Sequence, residues 1–519
     1  MKELIFEELT TEQKLGLTYS FVLHYPAQDK EFVFDLIKKR HVGSIWIQQG
    51  RQSDTEETIA QIRALADYPI LIMTDAESGI GNFTVGKHNA IGTTGSAKHA
   101  YAFGKTVGVV ARKMGYNVVC DPVVDMDDGS MRCLGMDKEK VAELAIAIAR
   151  GMHDGGVLTV AKHYPGGETV SKVDTHTAES TSALTKDELL ENSIYPYLEL
   201  NKAGLLDGIM TRHCRYFNID DKYPASLSKT VIDIIRESGY EGFAITDALV
   251  MMGIRARFSD KCAKAHALNA GNDLILPFFD QNKLHFEQYK EAYREGLISD
   301  KALDTAVKRI LAAQHKTTLL AKDSEISEEE ALTFQRINKD GVYMRADEGV
   351  SKTIDRDGKH FFVITLKQET DIKDGKPSVD TFSGTWQRPN EIANKIAELF
   401  PNSKVKFIHE FPSQYEMETT FSESLGCKEL IFMTFSEALA FVGPEHLTRR
   451  IVNLISAMQC TDRISTLIHL GNPHTIEELP HIKRVIFGSH AIENIKTTLE
   501  VLAGVYPANG NPTYNFKLQ

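Results

Sequence analysis

Cysteine is scarce in this chain of 519 residues and is scattered where it occurs, at positions 120, 133, 214, 262, 427 and 460. No Cys-x-x-Cys pair and no tight spacing is present, which argues against a disulfide-stapled scaffold or a zinc ribbon and for free thiols in a reducing compartment. No uninterrupted apolar run approaches the roughly 20 residues that cross a bilayer, so no membrane partner is expected. The start, Met1-Lys-Glu-Leu-Ile-Phe-Glu-Glu8, has no charged segment leading into an apolar one, and a cytoplasmic location is the expectation. A basic excess is missing as well. Lys and Arg number 59 against 71 Asp and Glu, a net charge of −12, and without a basic stripe nucleic acid is not an expected partner. Residues 355–519 contain neither Gly-x-Gly-x-x-Gly nor a P-loop, so nothing marks a nucleotide site there, and no cofactor is expected.

The remainder is the composition of a folded globular protein, 42% apolar and 25% charged. The length exceeds what one core supports and suggests two or three domains. Eight short β-rich apolar runs alternate with helical patterns through the first 320 residues: 17–23, 43–47, 70–74, 117–120, 157–161, 208–211, 243–246 and 273–276. Helices are predicted between them, among them 138–153, 184–203 and 227–238, and another over 301–316. Near-continuous apolar strands alternating with helices predict an α/β fold, a (β/α)8 TIM barrel over 1–320. A charged helical linker is expected over 321–354. Five further runs, 361–366, 405–408, 430–435, 465–470 and 484–487, predict a smaller doubly wound α/β domain over 355–519.

Ionisable residues gather at the predicted strand ends: Asp75, Asp121, Lys162 with His163, Arg212 with His213, and Asp247. That is the reactive face of a barrel. The loop Ala161-Lys-His-Tyr-Pro-Gly-Gly-Glu-Thr-Val-Ser-Lys-Val-Asp-Thr-His176 is the densest stretch. Asp174 and His176, two residues apart in an irregular segment, can meet side chain to side chain, and a carboxylate that orients an imidazole makes a proton-transfer unit. Each residue also has an ordinary use. Asp247 alone could cap the next helix, His176 could be a solvated loop histidine, and Arg132 could pair with a carboxylate. Lys162 and His163 could form an ion pair with Asp247 or Asp121, and Asp121, Arg212 and His213 serve equally as site or scaffold.

Taken in order, Lys162-His163-Tyr-Pro-Gly with Asp174-Thr-His176, Met210-Thr-Arg-His213, Pro224-Ala-Ser-Leu-Ser228 and Gly242-Phe-Ala-Ile-Thr-Asp247 resemble family 3 glycoside hydrolases, in the β-N-acetylglucosaminidase (NagZ-type) branch. Thr11-Glu-Gln-Lys-Leu-Gly16, Ala270-Gly-Asn-Asp-Leu-Ile275 and Val307-Lys-Arg-Ile-Leu311 match further blocks, and Leu470-Gly-Asn-Pro473 extends the likeness into the second domain. The resemblance implies a retaining, exo-acting β-N-acetylhexosaminidase with Asp247 as nucleophile, His176 as acid/base and Asp174 as its partner. It implies that Asp75, Arg132, Lys162 and His163 hold the terminal sugar, and His213 is placed with them as a binding residue. The partner is then a small carbohydrate, with neither metal nor cofactor. Nothing in the sequence separates a monomer from a homo-oligomer.

The chain departs from the family pattern at several points. Glu-Gly-Gly-Arg reads Glu77-Ser-Gly-Ile80, no arginine stands near Phe83, Pro-Gly-His-Gly reads Pro165-Gly-Gly-Glu168, the loop is one residue longer before Asp174, and Ala248 follows Asp247. These changes imply altered recognition of particular sugar hydroxyls. They make a family 3 β-glycosidase of other sugar specificity one alternative, and because an imidazole base does not repel an incoming anion, a phosphorylase of the same glycosides is another. A metal-dependent barrel hydrolase using histidines 153, 163, 176 and 213 is a weaker reading, since the first strand ends in the single His24, and a non-catalytic sugar-binding barrel is weaker still.

Overall fold

The computed structural model describes residues 2–23, 29–48, 50–126, 132–170, 173–279, 281–320, 323–366, 369–373, 376–380, 388–436 and 446–513. Seven parallel strands form the first sheet: β1 (Ser20–Val22), β2 (Ser44–Trp46), β3 (Leu71–Asp75), β4 (Val118–Cys120), β5 (Leu158–Tyr164), β6 (Gly208–Thr211) and β7 (Phe243–Thr246), each paired with the next in sequence. The eighth predicted run pairs through two bridges, Ile245 with Leu274 and Tyr19 with Ile275, and these close the sheet into a barrel. Thr246 N–H donates to Leu274 O at 3.1 Å and Ser20 N–H to Ile275 O at 2.9 Å across the closure.

Side-chain alternation explains why these strands read as unbroken apolar runs. One set, including Trp46, Leu71, Met73, Val118, Val160, Met210 and Ile245, packs together inside the barrel. The alternate set, including Phe21, Ile45, Ile72, Val119, Ala161, Ile209 and Ala244, packs under the surrounding helices. With both faces dry, no polar alternation remains. The helices are punctuated locally. Asp137 caps helix Lys138–Gly155 by accepting from Lys140 N–H, and Gly156, at φ 93°, ends it. The helix predicted over 184–203 is divided into Lys186–Glu188, a wide turn at Leu189–Ser193 and Tyr195–Lys202. Pro196 supplies the reason, because it has no N–H to continue a regular ladder.

The second sheet has six strands: β8 (Tyr343–Ala346), β9 (His360–Leu366), β10 (Lys404–His409), β11 (Glu429–Phe435), β12 (Ile464–Leu470) and β13 (Arg484–Gly488), in the order β8-β13-β12-β11-β9-β10. All pairings are parallel except that of β8 with β13. Phe362, Ile364, Ile431 and Met433 face helices Pro389–Leu399 and Ile492–Leu502. Phe361, Val363, Leu430 and Phe432 face helix Arg449–Gln459. The sheet is thus doubly wound, with a core on each face.

The segment expected as a linker is built into both bodies. Phe334 and Ile337, on helix Glu328–Asp340, join the barrel core. Val342 joins the second core, and β8 is the sheet's antiparallel edge. Among the described residues, no helix is long and apolar enough to cross a membrane.

Candidate active site

Strand ends place most of the residues singled out above. Asp75 ends β3, Lys162 and His163 lie just before the last residue of β5, Arg212 and His213 follow β6, and Asp247 follows β7. Lys162, nearly inaccessible, sets Nζ 2.5 Å from Asp75 Oδ1 and 2.9 Å from Glu77 Oε1. Arg132 grips Glu77 with two prongs, Nε to Oε2 at 2.9 Å and Nη2 to Oε1 at 2.7 Å. The same Nη2 lies 3.1 Å from His163 Nε2. Since a guanidinium only donates, Nε2 of His163 accepts and Nδ1 carries the hydrogen, which it gives to Asp125 Oδ2 at 2.7 Å. Asp125 also takes the His163 backbone N–H at 3.1 Å.

The partners of Lys162 and His163 are therefore Asp75, Glu77 and Asp125. The ion pairs considered from sequence, with Asp247 or Asp121, are not the ones formed. Asp121 is completely buried, 2.7 Å from His88 Nε2. Of the groups in this network, Asp75 keeps 36% of its side chain accessible to solvent.

Charge follows packing. Burial pulls against the charged form of Lys162, but Asp75 and Glu77 outweigh it and raise its pKa. Burial also opposes ionisation of Glu77, yet Arg132 and Lys162 hold its carboxyl well below the usual range. The Asp75 carboxyl is raised by burial and by the neighbouring Glu77 charge. Despite burial, His163 draws Asp125 down to about 2.

Asp247 is half-buried and fixed at three points. Its N–H donates to Thr211 O at 2.9 Å, its Oδ1 accepts Ala248 N–H at 2.7 Å, and the following Leu249 N–H donates to Leu276 O at 3.0 Å. Burial raises its pKa, but His163, His213, the Ala248 N–H and His176 lower it by more, so the net shift is downward. His213 is fully buried beneath this turn. Its Nε2–H donates to Ala248 O at 3.1 Å, which leaves Nδ1 to accept from Ser226 Oγ at 2.8 Å, and burial lowers its pKa. Placed so, it supports the backbone beside Asp247.

Asp174 and His176 do meet. Asp174 Oδ1 lies 2.7 Å from His176 Nδ1 and also accepts the His176 backbone N–H at 2.9 Å. Their loop is seated on the short helix that follows Asp247: Met252 N–H donates to His176 O at 3.2 Å and Gly253 N–H to Thr175 O at 3.0 Å. A Cβ at Gly253 would lie 3.1 Å from Thr175 O. Upstream, Gly166 and Gly167 take φ of 73° and 92°, and the Gly167 carbonyl receives Arg212 Nη1 at 3.2 Å. A side chain at Gly167 would also press on Leu184, 2.5 Å from the Cβ position. The glycine pair in this loop is therefore a steric and conformational requirement.

Glu77 and Asp125 were not singled out from sequence as site residues. Asp125 had one available signal, its place in Asp121-Pro-Val-Val-Asp125 just beyond a strand end. The histidines weighed as metal ligands diverge. His153 pairs with Asp207 at 2.5 Å, His163 with Asp125, His176 with Asp174 and His213 with Ser226. Among the described residues no three His, Cys, Asp or Glu side chains converge as a metal site. His24 lies outside the described residues.

Comparison with known proteins assigns the barrel to a family. Residues 10–313 match the model of the glycosyl hydrolase family 3 N terminal domain. A protein of Cellulomonas fimi named beta-N-acetylglucosaminidase/beta-glucosidase is 26% identical over 327 residues, 59% of this chain and 57% of that protein, so the chain spans little more than half of that relative. The solved structure of a glycoside hydrolase family 3 beta-N-acetylglucosaminidase from Paenibacillus sp. str. FPU-7 superposes with a TM-score of 0.79 at 24% identity, covering 97% of this chain and 98% of that one. The beta-glucoside phosphorylase BglX superposes with a TM-score of 0.80 at 19% identity, covering 98% and 94%. At these identities the two structures speak to the fold.

Proposed function

The chain belongs to glycosyl hydrolase family 3, and from that premise we propose that it is a retaining, exo-acting β-N-acetylhexosaminidase that removes terminal β-linked N-acetylglucosamine. The observation that carries the reading is the pairing of an anchored, ionised Asp247 with the Asp174–His176 dyad, whose loop is seated on the helix directly after Asp247.

With one oxygen held by Ala248 N–H, Asp247 attacks the anomeric carbon with the other. His176 Nε2 delivers a proton to the departing oxygen, and Asp174 stabilises the imidazole through Nδ1. A glycosyl ester on Asp247 results. His176, now neutral, takes a proton from water, which opens the ester with net retention of configuration. Asp75, Lys162, His163 and Arg132 hold the sugar, and Glu77 and Asp125 orient the cations and the imidazole among them. His213 acts through the Ala248 carbonyl on the backbone beside the nucleophile.

Asp247→Ala is expected to lower turnover of aryl N-acetyl-β-glucosaminides by about 10⁴-fold or more, and to prevent labelling at position 247 by a fluorinated sugar. An active Asp247→Ala enzyme overturns the mechanism. A second reading, phosphorolysis, is favoured by one feature: the acid/base is an imidazole, which does not repel a phosphate nucleophile as a carboxylate would. Release of sugar 1-phosphate in phosphate buffer, against free sugar without phosphate, separates the two readings.

A further inference from the structure

The sequence blocks Pro224-Ala-Ser-Leu-Ser228 and Ala270-Gly-Asn-Asp-Leu-Ile275 meet at one buried amide, that of Asn272. Helix Asp260–Ala270 ends at Gly271, whose φ of 111° turns the chain into Asn272 just ahead of the eighth apolar run. Asn272 is completely inaccessible, as are Thr211, His213 and Ser226. Its Nδ2 donates to Ser226 O at 2.8 Å and to Ala267 O at 2.9 Å, and its Oδ1 accepts Thr211 Oγ1 at 2.8 Å. Both carbonyls only accept, so the amide faces one way and both of its hydrogens are used.

Each end of this amide leads to the backbone around Asp247. From Oδ1 the path is one residue long: Thr211, which donates to Asn272, also offers its carbonyl to Asp247 N–H at 2.9 Å. From Nδ2 the path runs through Ser226, whose Oγ donates to His213 Nδ1 at 2.8 Å, and then through His213, whose Nε2–H donates to Ala248 O at 3.1 Å. The first path fixes the peptide before Asp247, and the second fixes the peptide after Ala248. Between them lies the Asp247–Ala248 peptide, whose N–H holds Asp247 Oδ1 at 2.7 Å. The two flanking peptides therefore set the direction of that N–H, and with it the direction of the other carboxylate oxygen.

We infer that Asn272 is a positioning residue for the nucleophile, a role that rests on the glycosidase reading above. It ties Thr211 to Ser226 and so sets the angle at which the second carboxylate oxygen of Asp247 meets the anomeric carbon. An amide suits this use because it gives two hydrogens and accepts one at the same time. An aspartate has no N–H for the two carbonyls, and a leucine of similar size would leave a hydroxyl and two carbonyls buried without partners. A displacement of about 1 Å from a change remote from the chemistry costs on the order of 10²-fold in rate, so a small rotation of this turn is enough to register in kcat.

Thr211→Val and Thr211→Ser separate this role from packing: valine keeps the shape and loses the hydroxyl, whereas serine keeps the hydroxyl and loses a methyl. Ser226→Ala cuts the other path, and Asn272→Ala cuts both. The test on the full chain is steady-state kinetics with aryl N-acetyl-β-glucosaminides of good and poor leaving groups, with the rate at which a fluorinated sugar labels position 247. Thr211→Val and Ser226→Ala are each expected to lower kcat and the labelling rate about tenfold, equally for all leaving groups, with KM within about twofold of wild type. Asn272→Ala is expected to lose about a hundredfold, and Thr211→Ser to restore most of the rate lost in Thr211→Val. Wild-type kcat and labelling in either Thr211→Val or Ser226→Ala overturns the inference. So does a loss confined to KM, a loss that grows with poorer leaving groups, or a defect in Thr211→Ser as large as that in Thr211→Val. An active wild type with indifferent variants removes this inference alone, whereas a wild type that neither turns over nor labels removes the glycosidase reading itself.

Discussion

At Asp125 a single carboxylate fixes the ring of His163, and its ionisation is stabilising. Its folded pKa, about 2, lies below the ordinary 3.8. A carboxyl depressed by folding contributes fully above its unfolded value, and the contribution is lost as pH falls through the folded value. It therefore adds on the order of 2 kcal/mol above pH 5, a contribution that declines between about pH 4 and pH 2. Asp125→Asn should lower the unfolding free energy near neutrality by roughly that amount, with the difference from wild type shrinking on acidification. Denaturant melts of both proteins at pH 7 and pH 3 measure it, and a difference independent of pH would deny Asp125 this role. At this scale, sequence reveals a residue when its neighbours in the chain reveal it. Lys162 and His163 are adjacent at a strand end, and Asp174 and His176 are two apart. Asp125 meets His163 across 38 positions, and Glu77 meets Arg132 across 55. Those pairings are made where neighbouring parallel strands, β3 with β4 and β4 with β5, bring their following loops together, which no local spacing encodes.

The dyad's element depends on a close approach of two backbones. Gly253 lets the helix after Asp247 come within hydrogen-bonding distance of Thr175 and His176, and any side chain there meets the Thr175 carbonyl. Gly253→Val should push the loop outward and misplace His176 while leaving the network of β3 and β5 that is proposed to hold the sugar intact. The expected result is a fall in kcat of about tenfold to a hundredfold with a smaller change in KM, for a misplacement of about 1 Å. The loss should be greatest for poor leaving groups, which need protonation, and least for dinitrophenyl glycosides. A uniform loss across leaving groups would point to Asp247 instead of His176. Alternation of apolar runs foretold the strands carrying these loops, because both faces of each sheet are dry. The break inside 184–203 was signalled only by Pro196, and the eighth strand's reduction to two bridges was signalled by nothing local.

For the whole molecule, the C-terminal contacts bear on the side of the barrel that is proposed to hold the sugar. Tyr506 Oη and Asn509 Nδ2 donate to Asp340 Oδ1 at 2.8 and 2.9 Å, Gly510 N–H to Val342 O at 2.8 Å, and Asn511 N–H to Thr93 O at 2.7 Å. Farther along, Thr513 O accepts Met136 N–H at 3.3 Å, four residues beyond Arg132. The charged face of 321–354 concealed this architecture, since Phe334 and Ile337 are too few to announce a core and β8 too short to announce an edge. The residues from 509 to 513 bind the helix His88–Thr94 and the loop after Arg132 into one support. Removing residues 507–519 should loosen Arg132 and the helix His88–Thr94 without reaching Asp247 or His176, whose anchors lie on β6, β7 and the helix at Met252. The expected outcome is a rise in KM of about threefold to tenfold with kcat little changed, and a loss of no more than a few degrees in melting temperature, since no described strand lies in this segment. Steady-state kinetics with an aryl N-acetylglucosaminide, beside a thermal melt, measures both. A fall in kcat at constant KM would place the influence of this segment on the reacting groups instead of on the sugar.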